Sequence, residues 1–74
     1  MQAQAAQLIP QGLAAVAKGR DTISTVEAAH AINRKPQTLR KWASQENGPV
    51  KPVRINGRLD WRVIDLARLL NVGG

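Results

Sequence analysis

A helix capped at Ser24 has about two turns before Asn33 and no more than about three before Pro36 forbids its continuation. Ser24-Thr25-Val26-Glu27 has the form of a capping box, a serine N-cap with glutamate at N3. Proline has no N–H, and its ring clashes with the preceding turn, so this helix must stop near Asn33, a residue that tolerates the left-handed conformation. The same proline is well placed at the first position of a new helix, with Lys35 in the cap position. Only Asn33, Arg34 and Lys35 separate the two helices. Helices joined by so short a turn cross at a large angle. Val26, Ala29 and Ile32 form the expected buried stripe of the first helix, with Ala28 beside it.

At about 100° per residue, the second helix puts Leu39, Trp42 and Ala43 on one side. Gln37, Lys41 and Ser44 centre the opposite side, with Arg40 on one flank and Thr38 and Gln45 toward the other. The apolar side is expected to dock on the preceding helix. The outer side is polar and cationic, and Glu46 is the first acid to appear.

Gly48-Pro49 and Lys51-Pro52 then break any helix. Val53-Arg54-Ile55 and Leu59-Asp60-Trp61 flank Asn56-Gly57, which signals a hairpin through a type I′ turn. Trp61 is expected to point with Leu59 and Ile55. Val63, Leu66, Ala67 and Leu70 define a last helix, widened by Ile64 and Leu69 and ended by Asn71 and the terminal glycines. Upstream, Leu13, Val16 and Ala17 recur on one helical face, which predicts a short helix over 9–18 with Pro10 in its first turn and Gly19 as a left-handed C′ residue. Thr22-Ile23 adds a third short strand. The fold expected is mainly α with a small β-hairpin: a helix-turn-helix followed by a wing, with one N-terminal helix added before it. Residues 1–8 are expected to form a flexible tail, and residues 9–74 one domain.

The 74 residues contain no cysteine and one histidine. This argues against disulfides and thiolate zinc sites, and no cofactor is expected. Catalysis is equally poorly supplied. His30 alone cannot furnish a nucleophile–base–acid set, there is no Gly-rich phosphate loop, and Asp60 and Asp65 are too few for a two-metal site. The apolar run Leu13 to Ala17 is far shorter than the roughly 20 residues of a bilayer span. No lysine or arginine stands among the first residues, as a secretory leader would require. A cytoplasmic protein with no membrane partner is expected.

The net charge of +6 lies in one place. Between Arg34 and Arg62 stand Arg34, Lys35, Arg40, Lys41, Lys51, Arg54, Arg58 and Arg62, against only Glu46 and Asp60. Elsewhere Lys18, Arg20 and Arg68 balance Asp21, Glu27 and Asp65. Segregation of this kind favours a polyanionic partner over a merely solvated surface.

Thr25-Val26-Glu27-Ala28-Ala29, then Asn33 through Trp42, then Pro52 through Trp61 resemble the phage excisionase family. They also resemble the N-terminal DNA-binding domain of regulators of the mercury-resistance type. The shared pattern is E-A-A, a turn, T-L-R-x-W, and a short wing ending in G-R. The resemblance spans about Ser24 to Leu70. It implies a fold that inserts the second helix into the major groove of double-stranded DNA and the wing into the adjacent minor groove. Carried over by position, Gln37, Thr38, Arg40 and Lys41 meet DNA from the helix, and Asn56, Gly57 and Arg58 form the wing tip. Where the family often carries a small hydroxyl residue, this chain has Lys35. The stretch before Ser24 has no counterpart in minimal excisionases, and the C-terminal coiled coil of the mercury-type regulators is missing.

The chemistry of each residue gives a site. Gln37 can pair with adenine N6/N7 and Lys41 can donate to guanine O6/N7. Arg34, Lys35, Arg40 and Arg54 are suited to phosphates, which position a protein without reading sequence. Ser44 extends the recognition face by one turn. Arg58 at a hairpin tip suits a narrow minor groove. Arg40 has a rival role, bridging the wing to the helix. Trp42 and Trp61 are placed in the core rather than stacked on single-stranded bases, and His30 lies on an outer face. The function expected is sequence-specific duplex binding, as a recombination directionality factor (an excisionase) or a transcription regulator of a phage or other mobile element, with cooperative or homo-oligomeric binding on DNA. The alternative is a protein–protein interaction module built on the Leu66/Leu69/Leu70 face.

Overall fold

A computed structural model describes residues 9–71, so the expected tail at 1–8 and the terminal glycines lie outside the described residues. Among the described residues four helices and a three-stranded antiparallel sheet follow one another as α1 (Gln11–Ala17), β1 (Thr22–Ser24), α2 (Thr25–Ala31), α3 (Pro36–Gln45), β2 (Val53–Ile55), β3 (Arg58–Arg62) and α4 (Val63–Asn71). β3 is central, in the order β1-β3-β2. The fold is mixed α/β, and the third short strand expected at Thr22-Ile23 is present and extends to Ser24. Thr22, Ile23 and Ser24 pair with Arg62, Trp61 and Asp60, completing the sheet on its second edge.

Local chemistry accounts for the boundaries. α1 is shorter than its apolar spacing suggests. Pro10 is its N-cap rather than a first-turn residue, and Lys18 (φ 52°) already turns left-handed before Gly19 (φ 81°). In α2 the capping box is complete: Ser24 Oγ accepts from the Glu27 N–H at 3.2 Å, and the Ser24 N–H donates to Glu27 Oε1 at 3.1 Å. The other end closes as a Schellman motif. Asn33 is left-handed (φ 60°), its N–H reaches the His30 carbonyl, and the Arg34 N–H reaches the Ala29 carbonyl at 2.8 Å. Pro36 opens α3 behind an extended Lys35, as its missing N–H allows.

The core gathers Leu13, Ile23, Ala28, Ala29, Leu39, Trp61 and Leu66, all essentially inaccessible to solvent. Trp61 is the largest of them. Its indole Nε1–H donates to Thr25 Oγ1 at 3.0 Å, so its one polar group is satisfied inside. Trp42, half-buried, meets it edge-on with ring centroids 6.4 Å apart and joins α3 to the sheet. Gly48 lies against the Trp42 ring so closely that a Cβ there would come within 2.2 Å of Trp42 Cγ.

Three expectations about faces need correction. Val26 is 58% exposed, and the buried side of α2 is instead Thr25, Ala28 and Ala29, with Ile32 at its C-cap. The helix is rotated so that Thr25 can receive the Trp61 indole. Ile55 does not point with Trp61. The two-residue turn pairs Ile55 with Arg58 and Arg54 with Leu59, so Ile55 shares the face of Arg58 and Asp60, while Arg54 shares that of Leu59 and Trp61. Alternation read straight across a hairpin turn gives the wrong parity. Ile64, expected to widen the apolar face of α4, is 46% exposed, while Leu66 is fully buried and Leu69 and Leu70 pack half-buried on the core.

Candidate nucleic-acid interface

α3 owes its two faces to its period. Leu39 and Ala43 are buried, and Gln37, Arg40, Lys41 and Ser44 are all exposed. These four stand at i, i+3, i+4 and i+7, a continuous stripe along the helix. Ser44 Oγ donates back to the Lys41 carbonyl at 3.4 Å, leaving its lone pairs outward. Thr38 is half-buried at the edge of the stripe, in a shallow concavity with Asn33, Arg34 and Lys35. The Lys35 side chain makes no capping bond to the helix it precedes. Arg34 and Lys35, both exposed, immediately precede the N-terminal end of α3, where the helix dipole is positive and no acid sits in the first turn.

The hairpin turn has the backbone its sequence requires. Asn56 (φ 51°) and Gly57 (φ 79°) both take positive φ, the type I′ pattern, and bring the ends of β2 and β3 within one ladder rung. Arg58 follows immediately, its side chain 74% exposed. Its Nε lies 3.3 Å from Asp60 Oδ1 on the same strand face.

The structure separates two arginines that the sequence groups together. Arg54 faces the α3 side of the hairpin, in a cleft shared with Trp42, Glu46, Gly48 and Lys51, while Arg58 lies on the opposite face. The hairpin therefore presents cations on both sides. Arg40 makes no bridge to the hairpin among the described residues, and its side chain is exposed, which leaves its other role, an outward-facing cation.

Ion pairing divides the molecule. Among the described residues Arg20 pairs with Glu27 at 2.8 Å, Arg68 with Asp65 at 3.5 Å and Arg58 with Asp60. Arg34, Lys35, Arg40, Lys41, Lys51, Arg54 and Arg62 have no carboxylate partner among those residues. The Glu27 carboxyl is pulled down to about 2 by the Arg20 hydrogen bond first and the Ser24 backbone N–H second. Arg20 is raised above its ordinary value, chiefly by that same hydrogen bond.

Sequence reasoning passed over two members of the outer sheet face. Asp60, weighed in the sequence only as a charge and as half of an insufficient metal pair, is buried, and Arg62 is exposed beside it. The alternation Arg58-x-Asp60-x-Arg62 was the available signal, since a strand puts all three on one face.

No family model and no solved structure matches the chain. It is similar to Protein YkgV of Escherichia coli (strain K12), 48% identical over 42 residues, which is 53% of this chain and 57% of that protein. The chain thus spans a little over half the length of this relative.

Proposed function

We propose that this chain is a winged helix-turn-helix protein of the excisionase-like kind that binds double-stranded DNA and acts by binding alone, without catalysis. In this reading α2 and α3 are the helix-turn-helix and β2–β3 is the wing. The observation that carries it is the set of seven cations from Arg34 to Arg62 held without carboxylate partners among the described residues. Unneutralised cations on a small domain repel one another, and phosphates relieve that repulsion while releasing condensed counterions.

The dimensions support it. A helix with its side chains is about 10–12 Å across, and the major groove of B-DNA is about 12 Å wide. Gln37, Arg40, Lys41 and Ser44 face outward along two turns of α3. Gln37 and Lys41 read adenine and guanine edges. Arg34, Lys35 and Thr38 hold a phosphate at the helix N-terminus, and Arg40 holds one on the flank. Arg54 and Lys51 take phosphates beyond the other end of α3. Asn56 and Gly57 turn the backbone sharply enough to present Arg58 to the adjacent minor groove, where a narrow groove concentrates negative potential.

Such a protein serves as a recombination directionality factor or as a transcription regulator of a mobile element, since both use the same surface. An interaction module built on α4 is less well supplied, because Leu66, Leu69 and Leu70 are already packed inward. The test is selection of bound fragments from a random duplex pool, followed by mobility of circularly permuted probes. Several copies on direct repeats with a bend indicate the recombination factor, and a dimer on one palindrome indicates the regulator. Failure to enrich any duplex refutes the proposal.

A further inference from the structure

Asp60 is the one charged side chain among the described residues that the fold buries, with only 6% of it accessible, on the sheet face turned away from Trp61. Ionised groups in that situation need counter-charge and hydrogen bonds. Oδ2 has one, accepting from the Thr22 hydroxyl of β1 at 3.1 Å. Oδ1 is buried with no hydrogen-bond partner, and the group facing it is Arg58 Nε at 3.3 Å, close enough for ionic contact but not aligned as a hydrogen bond. Around them Arg20, Thr22 and Glu27 line one polar cleft with Asp60 and Arg58.

From this arrangement we infer that Asp60 is a positioning residue for the wing: it tethers the Arg58 guanidinium by its Nε edge and leaves the terminal nitrogens directed outward for a nucleic-acid acceptor. The inference rests on the DNA-binding reading and deepens it. Two features make the tether directional. Asp60 is itself fixed, hydrogen-bonded to the neighbouring strand and seated in the centre of the sheet. Arg58 stands two residues away on the same strand face, between that fixed carboxylate and the turn, and is largely exposed. A long side chain beside a tight turn otherwise samples many rotamers, and ordering it on binding is costly. Holding one end of it beforehand removes part of that cost.

The charge sign makes the idea separable from simple electrostatics. Removing a carboxylate near DNA strengthens binding if charge alone counts, because one repulsion is lost. Removing a tether weakens it. The experiment is a double-substitution cycle with Asp60→Asn and Arg58→Ala, read by affinity for the selected duplex, with the combined Trp42 and Trp61 emission of each variant reporting the fold. Asp60→Asn alone is expected to weaken binding about three- to tenfold, the scale of one immobilised side chain. In the Arg58→Ala background the same substitution is expected to be neutral or to tighten binding. Equal or tighter binding by Asp60→Asn with Arg58 present, or the same weakening with Arg58 absent, overturns the inference while leaving duplex binding in place. A wild-type chain that binds no duplex removes the underlying reading instead.

A second measurement needs no variant. The Arg58 Nε–H of the free protein should show restricted motion by ¹⁵N relaxation, compared with Arg40 and Arg54, which have no carboxylate tether among the described residues. If Arg58 moves as freely as those two, the tether does not exist, whatever Asp60→Asn does to folding.

Discussion

The N-terminal part of this molecule and the part after Asn33 spend their charges differently. Around β1 and α2 the ionic groups close on one another. Arg20 grips Glu27, Glu27 caps its own helix, and Ser24 returns the bond. From Arg34 to Arg62 the cations stand out from the surface, and only Arg58 of them finds a carboxylate among the described residues. Both parts are anchored in the same core, through Leu13, Ala28 and Ala29 on one side and Leu39, Ala43 and Trp61 on the other. In the proposed DNA-binding reading, the contrast separates stability from recognition. Apolar side chains and caps hold the fold, and the unpaired cations are left available to a partner.

If that division holds, substitutions should sort into two kinds. The largest effect belongs to the shared core: Leu39→Ala should cost about 2–5 kcal/mol and leave little folded protein, measured by chemical or thermal unfolding. Next is Gly48→Ala. The new methyl has nowhere to go against the Trp42 ring, and overpacking of this kind costs about 1–3 kcal/mol. On the cationic side, Gln37→Ala and Lys41→Ala should each reduce base discrimination by about 1–3 kcal/mol at one position, while changing unfolding free energy by no more than about 0.5 kcal/mol. A large stability loss from Lys41→Ala would break the comparison, because it would mean that the outer face of α3 also supports the fold.

The smallest effects sharpen the other side. Ser24→Ala should cost about 1 kcal/mol through the lost N-cap. The Glu27 carboxyl titrates near 2 in the folded chain, below its ordinary 4.5, so its contribution is complete above about pH 4.5 and is lost as pH falls toward 2. Melting curves of the protein and of Glu27→Gln should therefore differ at neutral pH and converge in strong acid.

Much of this was legible in the sequence because local chemistry is strict there. The capping box, the left-handed Asn33, Pro36 at the start of α3 and the Asn56-Gly57 turn each permit few backbones, and the structure adopts them. The exposed stripe of α3 follows from the helical period in the same way. What escaped depends on contacts distant in sequence. Val26 is exposed because Thr25 is drawn inward to the Trp61 indole, 36 residues away, and no periodicity records that bond. Arg54 and Arg58 part company because the register through the turn changes the face. The burial of Asp60 depends on Thr22 arriving from β1, so a carboxylate that counts in the sequence only as one negative charge becomes a fixed point of the sheet.

The most direct test of the account is amide chemical-shift mapping as a selected duplex is titrated into the labelled protein. Duplex binding through α3 and the wing predicts that shifts concentrate at Arg34, Lys35, Gln37, Thr38, Arg40, Lys41 and Ser44 and at Asn56 to Arg58, and that they fade as salt is raised. Shifts confined to α1 and α4, with these positions unmoved at saturation, would contradict it.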